Sequence, residues 1–278
     1  MRDKHNYEFI EGIQCYHPDI ANDYSDYPDE GFDLTDENSG SWWVDSRNRL
    51  FKSLVSKNLR KNETTEFLEI GCGVGDFITH LTSEKKLEIT GSEIYIKGLK
   101  YAKRKLPNIN FVQLDIAQGR IDKNYDLIVS FDVLEHIEHD LDAIANLKSM
   151  LKEEGKLILS VPQHQFMWSS IDDIVKHKRR YSRKDLIQKL NQNGLEVEYC
   201  TSFVFTLFPL MYIYRLIEKK RDVEVSDKKE LEKKVSFSNI TNFLCNSIMR
   251  VDEFLINLGV SLPFGGTLII IAKKKNVQ

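Results

Sequence analysis

The chain has 278 residues, 41% hydrophobic and 10% aromatic, which suits one enlarged α/β domain or a domain with a sizeable insertion. A formal net charge of −3 excludes a global electrostatic attraction to nucleic acid or to anionic membrane, leaving only local patches for such contacts. Four cysteines (Cys15, Cys72, Cys200, Cys245) form no C-x-x-C pair, so neither a disulfide framework nor a zinc site is indicated.

Residues 1–40 are acidic and turn-rich (Tyr27-Pro28-Asp29-Glu30-Gly31-Phe32) and read as an irregular lead-in. The stretch Met1–Asn6 lacks the apolar core of a signal peptide, so cytoplasmic is the default expectation. Ser41 to Arg60 reads as a helix with Trp42, Trp43, Leu50, Leu54 and Val55 as inward positions and Arg47 among them. Apolar runs at 66–70, 87–91, 109–114, 125–131 and 155–161 then alternate with helix-like segments at 76–83, 94–105 and 139–151. That alternation predicts a doubly wound α/β fold with a parallel sheet. A sixth run at 195–202 follows a helix over 182–193 that stops at Gly194, and a seventh covers 267–272.

The expected organisation is therefore a lead-in (1–40), a core (41–202), an insertion (203–262) and the last strand (263–278). Within the insertion, 203–217 is apolar and aromatic (Phe203, Phe205, Phe208, Tyr212, Tyr214) and is followed by Lys219-Lys220-Arg221. It reads either as a buried lid over a substrate pocket or as an interfacial segment, over 203–221, that touches membrane or a lipid tail. Residues 218–234 are dense in charge, and 240–258 place Ile240, Leu244, Ile248, Val251, Leu255 and Leu258 at helical spacing. The apolar part falls short of the ~20 residues that span a bilayer.

The stretch Glu66-Phe67-Leu68-Glu69-Ile70-Gly71-Cys72-Gly73-Val74-Gly75-Asp76 runs a strand into three glycines and then a helix start. Such glycines let backbone approach a ligand closely, and the helix start offers unpaired N–H groups. The dinucleotide pattern G-x-G-x-x-G fails at Asp76, and Glu69 in the strand end would repel a pyrophosphate. The same carboxylate suits a ligand carrying an ammonium and a sulfonium, so the site reads as one for S-adenosylmethionine (SAM). Glu93, with Ile94 behind it, follows the second strand, where an acid can accept from two ribose hydroxyls. Asp115 can accept from an adenine amino group, with Ile116 packing on the ring. Phe131-Asp132-Val133-Leu134-Glu135-His136 falls where an open sheet reverses its strand order and binds ligands.

These motifs, over 66–161, resemble those of class I SAM-dependent methyltransferases. The resemblance implies a seven-stranded sheet of order 3-2-1-4-5-7-6 with the last strand antiparallel. It also implies cofactor contacts at Glu69, Gly71, Cys72, Gly73, Glu93, Ile94, Asp115, Ile116, Phe131, Asp132, Val133 and His136. Tyr27–Asp33, Trp42-Trp43 with Arg47, Val161-Pro162-Gln163-His164 through Trp168, His177 to Tyr181, and Leu262-Pro263-Phe264-Gly265 are similar to a bacterial subgroup associated with glycan, lipid-linked and other small acceptors. Its members often carry a cysteine pair near the N-terminus, of which this chain keeps only Cys15, beside His17.

Cys72 reads as a small buried filler, since no base adjoins it. Trp42 and Trp43 read first as core anchors, with Trp43 a candidate cofactor contact and Arg47 placed to pair with the methionine carboxylate. His136 and His139, with Glu135 and Glu138, resemble a metal pair, but no third ligand is evident and a solvated acidic loop is the preferred reading; no metal is assigned. The segment after the fifth strand is the substrate-site candidate. His164 and His177 are the candidate bases, and Trp168, Arg179, Arg180 and Tyr181 the candidate acceptor contacts, against an exposed basic stretch as the plainer reading. No nucleic-acid partner is expected, and oligomeric state is not legible. The expectation is methyl transfer from SAM to a small-molecule, glycan or lipid-linked acceptor, with oxygen favoured. A non-catalytic SAM-binding scaffold and a Rossmann dehydrogenase are the alternatives.

Overall fold

The computed structural model describes residues 7–23, 41–219 and 237–275. The lead-in motif at 27–33 and the charge-dense stretch with Lys220 and Arg221 lie outside the described residues.

Two short strands open the chain, β1 (Glu8–Ile10) and β2 (Ile13–Cys15). They are followed by α1 (Trp42–Lys57), capped by the Ser41 hydroxyl accepting from Val44 N–H. Then come β3 (Thr65–Ile70), α2 (Asp76–Leu81), β4 (Leu87–Glu93), α3 (Ile96–Lys105), β5 (Asn110–Gln113) and β6 (Tyr125–Phe131). The chain continues through α4 (Asp140–Ser149), β7 (Leu151–Pro162), α5 (Ser170–Ile174), α6 (Arg183–Gln192) and β8 (Leu195–Phe203). It ends with α7 (Phe208–Lys219), α8 (Asn239–Asn257) and β9 (Thr267–Lys274).

The described strands form one nine-stranded sheet in the order β1-β2-β5-β4-β3-β6-β7-β9-β8. Strands β5, β4, β3, β6 and β7 are parallel, and β9 runs antiparallel to both neighbours. The seven expected strands thus take the 3-2-1-4-5-7-6 order. The lead-in is not wholly irregular: β2 extends the sheet beside β5, and Glu11 and Gly12 turn the β1–β2 hairpin with φ of 50° and 77°. Three-residue strands are too short to show periodicity, so the sequence hid them.

Successive residues of the central strands alternate between two cores. Phe67, Leu127 and Ile158 pack with Phe51, Phe77 and Phe131, whereas Leu68, Ile128 and Leu159 pack with Ile144, Leu147 and Leu190. After β3 the chain moves outward to β4 and β5, then returns to lay β6 on the other side of β3. The loops leaving β3 and β6 diverge, and a crevice opens at the carboxyl edge of the sheet.

Helix α8 packs on the protein through a mixed face: Met249 and Ile256 are buried in the core, Arg49 donates to both Glu253 oxygens and to Asn246 Oδ1, and Asp252 accepts from Phe205 N–H and Thr206 N–H. Other apolar residues of the helix face outward, with Ile240 74%, Phe243 71% and Phe254 63% exposed. Helix α7 buries Phe208 but exposes Leu210, Ile213, Tyr214 and Ile217, so a buried lid describes only its first turn.

Candidate cofactor and acceptor site

The glycine loop after β3 is held by its own backbone. Gly71 N–H and Cys72 N–H both donate to the Ser92 carbonyl of β4, and Gly73 N–H donates to Glu93 Oε2 at 3.0 Å. Gly71, Gly73 and Gly75 all have positive φ, which explains the residue type. A Cβ on Gly71 would lie 2.3 Å from Val133 Cγ2 on the opposite lip, whereas one on Gly73 would meet nothing within 4 Å. The loop therefore borders an open cradle. At its foot Glu69 is buried, and its Oε2 has no hydrogen-bond partner. Burial pushes its pKa up to about 8, with Arg47 opposing and Asp76 and Glu93 adding to the rise. An orphaned buried carboxyl of this kind fits a ligand that brings positive charge.

Glu93 is buried and accepts from Gly73, Ile94 and Tyr95 N–H; burial still raises its pKa. Each oxygen keeps lone-pair capacity for a ribose hydroxyl. Ile94 lies half-buried against Val74 and Tyr95. Asp115 accepts from Ala117 N–H and from Gln118 Nε2, and its own N–H donates to His17 Nδ1 at 3.1 Å. Ile116 is buried in the core with Leu114, so little of it is left to cover an adenine ring. Cys72 is buried, and burial raises its thiol pKa well above the ordinary value, in keeping with a filler.

On the other lip, Phe131 stacks on Phe51 of α1 at 3.9 Å. Asp132 takes φ of 56°, an uncommon conformation for a non-glycine residue, and accepts from the Ser160 hydroxyl at 3.0 Å. Arg47 reaches across from α1 to Asp132 Oδ2 at 2.8 Å. Arg47 is thus at the site as expected, engaged with a carboxylate of the chain. Trp43 stacks against Phe203 and Trp42 packs edge-on to Trp43, which makes the pair anchors between α1 and the end of β8.

The segment after β7 differs from its expected form. Arg180 makes a bidentate pair with Asp172, its Nε to Oδ1 at 2.8 Å and Nη2 to Oδ2 at 2.9 Å. Burial raises the Asp172 pKa, but His177 and Arg180 together pull it well below the ordinary range. Arg179 donates to the Glu138 carbonyl and faces Asp140 at 3.3 Å. Tyr181 is fully buried, with its hydroxyl donating to Asp140 at 2.7 Å. Trp168 donates through its indole N–H to Asp173. The two arginines, the tyrosine and the tryptophan are tied to partners within the chain. They fix the loop instead of presenting free forks to an acceptor.

His164 takes a left-handed backbone conformation (φ 67°), and its ring stacks on Phe166 at 4.9 Å and lies 5.5 Å from Phe208 of α7. Its Nε2 is buried without a hydrogen-bond partner. Burial first, and Arg180 second, lower its pKa, so the ring is neutral at pH 7. His177 Nδ1 lies 2.8 Å from Asp172 Oδ1, and its ring meets that of His136 edge-on at 4.6 Å. Burial drives the His136 pKa down to about 3. The loop is only partly solvated as expected: Glu135 is fully buried and His136 half-buried, whereas Glu138 and His139 stand exposed at the head of α4.

The family model for a methyltransferase domain matches residues 43–199. The chain is 30% identical over 121 residues to the malonyl-[acyl-carrier protein] O-methyltransferase of a Paenibacillus species, covering 40% of this chain and 44% of that protein. It is 30% identical over 99 residues to the ubiquinone biosynthesis O-methyltransferase of Rickettsia felis, covering 34% and 40%. The chain thus spans less than half the length of these curated relatives. It also superposes, with a TM-score of 0.53 and 15% identity, on a polyketide-synthase O-methyltransferase of Brevibacillus brevis solved with S-adenosyl-L-homocysteine, covering 81% of this chain and 72% of that one. This chain belongs to the methyltransferase domain family. Its motifs and its sheet order are those of the class I, SAM-dependent methyltransferases.

For this methyltransferase, sequence reasoning missed two participants. His17, noted only as a neighbour of Cys15, accepts from Asp115 N–H, 98 positions away. Glu135 was read only as part of an acidic loop. Its burial follows from the turn Leu134–His136 tucking beneath the segment after β7, a long-range contact with no local signal. A cavity of about 550 Å³ lined by Tyr16, Glu88, Asn108 and Lys123 lies at the opposite, amino-terminal edge and holds none of the site residues.

Proposed function

We propose that this methyltransferase moves a methyl group from SAM to an oxygen of a small acceptor presented at a lipid surface. The observation that carries the reading is the outward apolar face of α7, which starts beside His164, together with the exposed apolar residues of α8. Apolar exposure of this kind marks an interaction site. Phe208 and Tyr212 of α7 pack on Phe166, which stacks on His164, so the apolar surface is continuous with the candidate acceptor site. Both acids of α8, Asp252 and Glu253, are buried while Arg250 is exposed, a charge arrangement suited to anionic headgroups. No described helix is long and apolar enough to cross a membrane, so contact would be peripheral.

Oxygen is supported by the names of the two curated relatives, both O-methyltransferases. It is also supported by His164, a neutral imidazole whose buried Nε2 can take the hydroxyl proton as the acceptor oxygen takes the methyl from sulfonium. Placement of that oxygen behind the methyl in a water-poor cleft supplies the rest of the rate.

Co-sedimentation with anionic vesicles tests the surface. The wild type should pellet at low salt, and Phe243→Glu with Phe254→Glu should release it without loss of fold. Equal behaviour of the two proteins would remove the lipid reading. His164→Ala should lower kcat by ~10²–10⁴ with SAM affinity intact; unchanged turnover would leave positioning as the only catalytic device.

A further inference from the structure

One side-chain cluster remains outside the methyl-transfer reading. Glu135, His136 and His177 each bring a ligand atom to within 4.8 Å of the other two. We infer that this trio binds a single divalent transition-metal cation at the carboxyl edge of β6.

Two imidazoles and one carboxylate form a donor set suited to zinc, manganese, iron or cobalt. Two ligand atoms each about 2.1 Å from a shared ion stand up to about 4.2 Å apart. His177 Nε2 and Glu135 Oε1 lie 3.8 Å apart, so little movement is needed. The rings of His136 and His177 meet edge-on, with centroids 4.6 Å apart.

An independent observation points to a ligand here. Glu135 is 0% exposed, and neither carboxylate oxygen has a hydrogen-bond partner. A buried carboxyl without a donor is costly, and something must compensate it. The neighbouring guanidinium groups are committed elsewhere, Arg47 to Asp132 and Arg180 to Asp172. Glu135 is left as the carboxyl whose charge a cation would balance.

The surroundings also orient the ligands. His177 Nδ1 bonds Asp172 at 2.8 Å, which leaves the Nε2 lone pair toward Glu135. His136 is bonded to the Val175 backbone through its ring. Carboxylate and carbonyl partners of this type fix the tautomer and rotation of metal-binding histidines. The local sequence shows the Glu135-His136 dipeptide but hides its third member, because His177 arrives from the far side of β7.

A cation here would polarise and hold oxygens of the acceptor. That consequence rests on the methyl-transfer reading; binding of the cation to the protein does not.

The test uses the full chain, stripped with a chelator and titrated with Co²⁺, followed by calorimetry and visible absorption. One equivalent should bind, with the absorption bands of a nitrogen- and oxygen-ligated cobalt ion. Glu135→Gln and His177→Ala should each lose at least about tenfold in affinity, and His139→Ala should bind as the wild type does. SAM titration of the same proteins checks their fold and tests the methyl-transfer reading separately. Should the variants misfold, histidine NMR of the wild type decides: diamagnetic Zn²⁺ must shift His136 and His177 and spare His139. No Co²⁺ uptake, uptake unchanged in Glu135→Gln and His177→Ala, or perturbation confined to other histidines would overturn the assignment.

Discussion

On the β3–β4 side of the cleft, polar groups are held within one strand–helix–strand unit: glycine N–H groups on Ser92 and Glu93 of the next strand, and Glu93 on its own following residues. On the α7–α8 side, polar groups are held by partners 47 to 204 positions away, Arg49 on Glu253 and Phe205 on Asp252, and much apolar side chain remains outside. The first side presents backbone and carboxylates to a polar, cationic cofactor. The second presents hydrocarbon. The two sides of one sheet edge thus differ in the chemistry they present, polar on one and apolar on the other.

The contrast is most easily broken at the glycine loop. Gly73→Arg places a side chain in the open cradle at a position with positive φ, and calorimetry should show no remaining SAM binding. Next comes Arg180→Ala. Because Asp172 would be left buried with only His177 and the Ser169 N–H and hydroxyl as partners, stability should fall by up to about 3–5 kcal/mol in denaturant unfolding, rather than the acceptor KM alone rising. The Asp172 pKa is depressed in the fold, so its stabilising contribution is present above the unfolded value near ~3.9 and is lost as pH falls below it. The gap between wild type and Arg180→Ala should therefore narrow in acid. Glu93→Ala should weaken SAM by roughly 1.5–3 kcal/mol through lost charged hydrogen bonds.

A pH-dependent effect concerns Glu69. Its pKa rises to about 8 in the fold, so between the unfolded value near ~4.3 and 8 the native chain holds a proton that the unfolded chain has released. Stability without ligand should decline as pH rises through that window, and Glu69→Gln should flatten the decline. A cationic ligand reverses the preference, so SAM binding at pH 6.5 should release a proton from the wild type and not from Glu69→Gln. Calorimetry in two buffers of different ionisation enthalpy measures this.

The sheet order and the cofactor loop were legible in the sequence because they are local patterns. Apolar runs mark strands, and Gly71, Gly73 and Glu69 sit within a few residues of one another. The acceptor side was not legible, for a physical reason. Helical spacing at Ile240, Leu244, Ile248, Val251, Leu255 and Leu258 shows that α8 has an apolar face, but of these only Ile248 and Leu255 pack on the core, in a docking that also rests on Arg49 and Phe205, far away in sequence. Arg180 likewise reads as a free anion-binding fork until Asp172 is seen to occupy it. His17 on Asp115 and His177 beside Glu135 belong to the same class.

The central claim is that a SAM-binding motif and an apolar helical surface serve one reaction on a lipid-borne acceptor. It is tested most directly by incubating the protein and methyl-labelled SAM with vesicles made from a total lipid extract. The account expects label in the lipid phase, lost in Gly73→Arg and strongly reduced in Phe243→Glu with Phe254→Glu. Label confined to water-soluble products, or lipid labelling indifferent to the α8 substitutions, would contradict it.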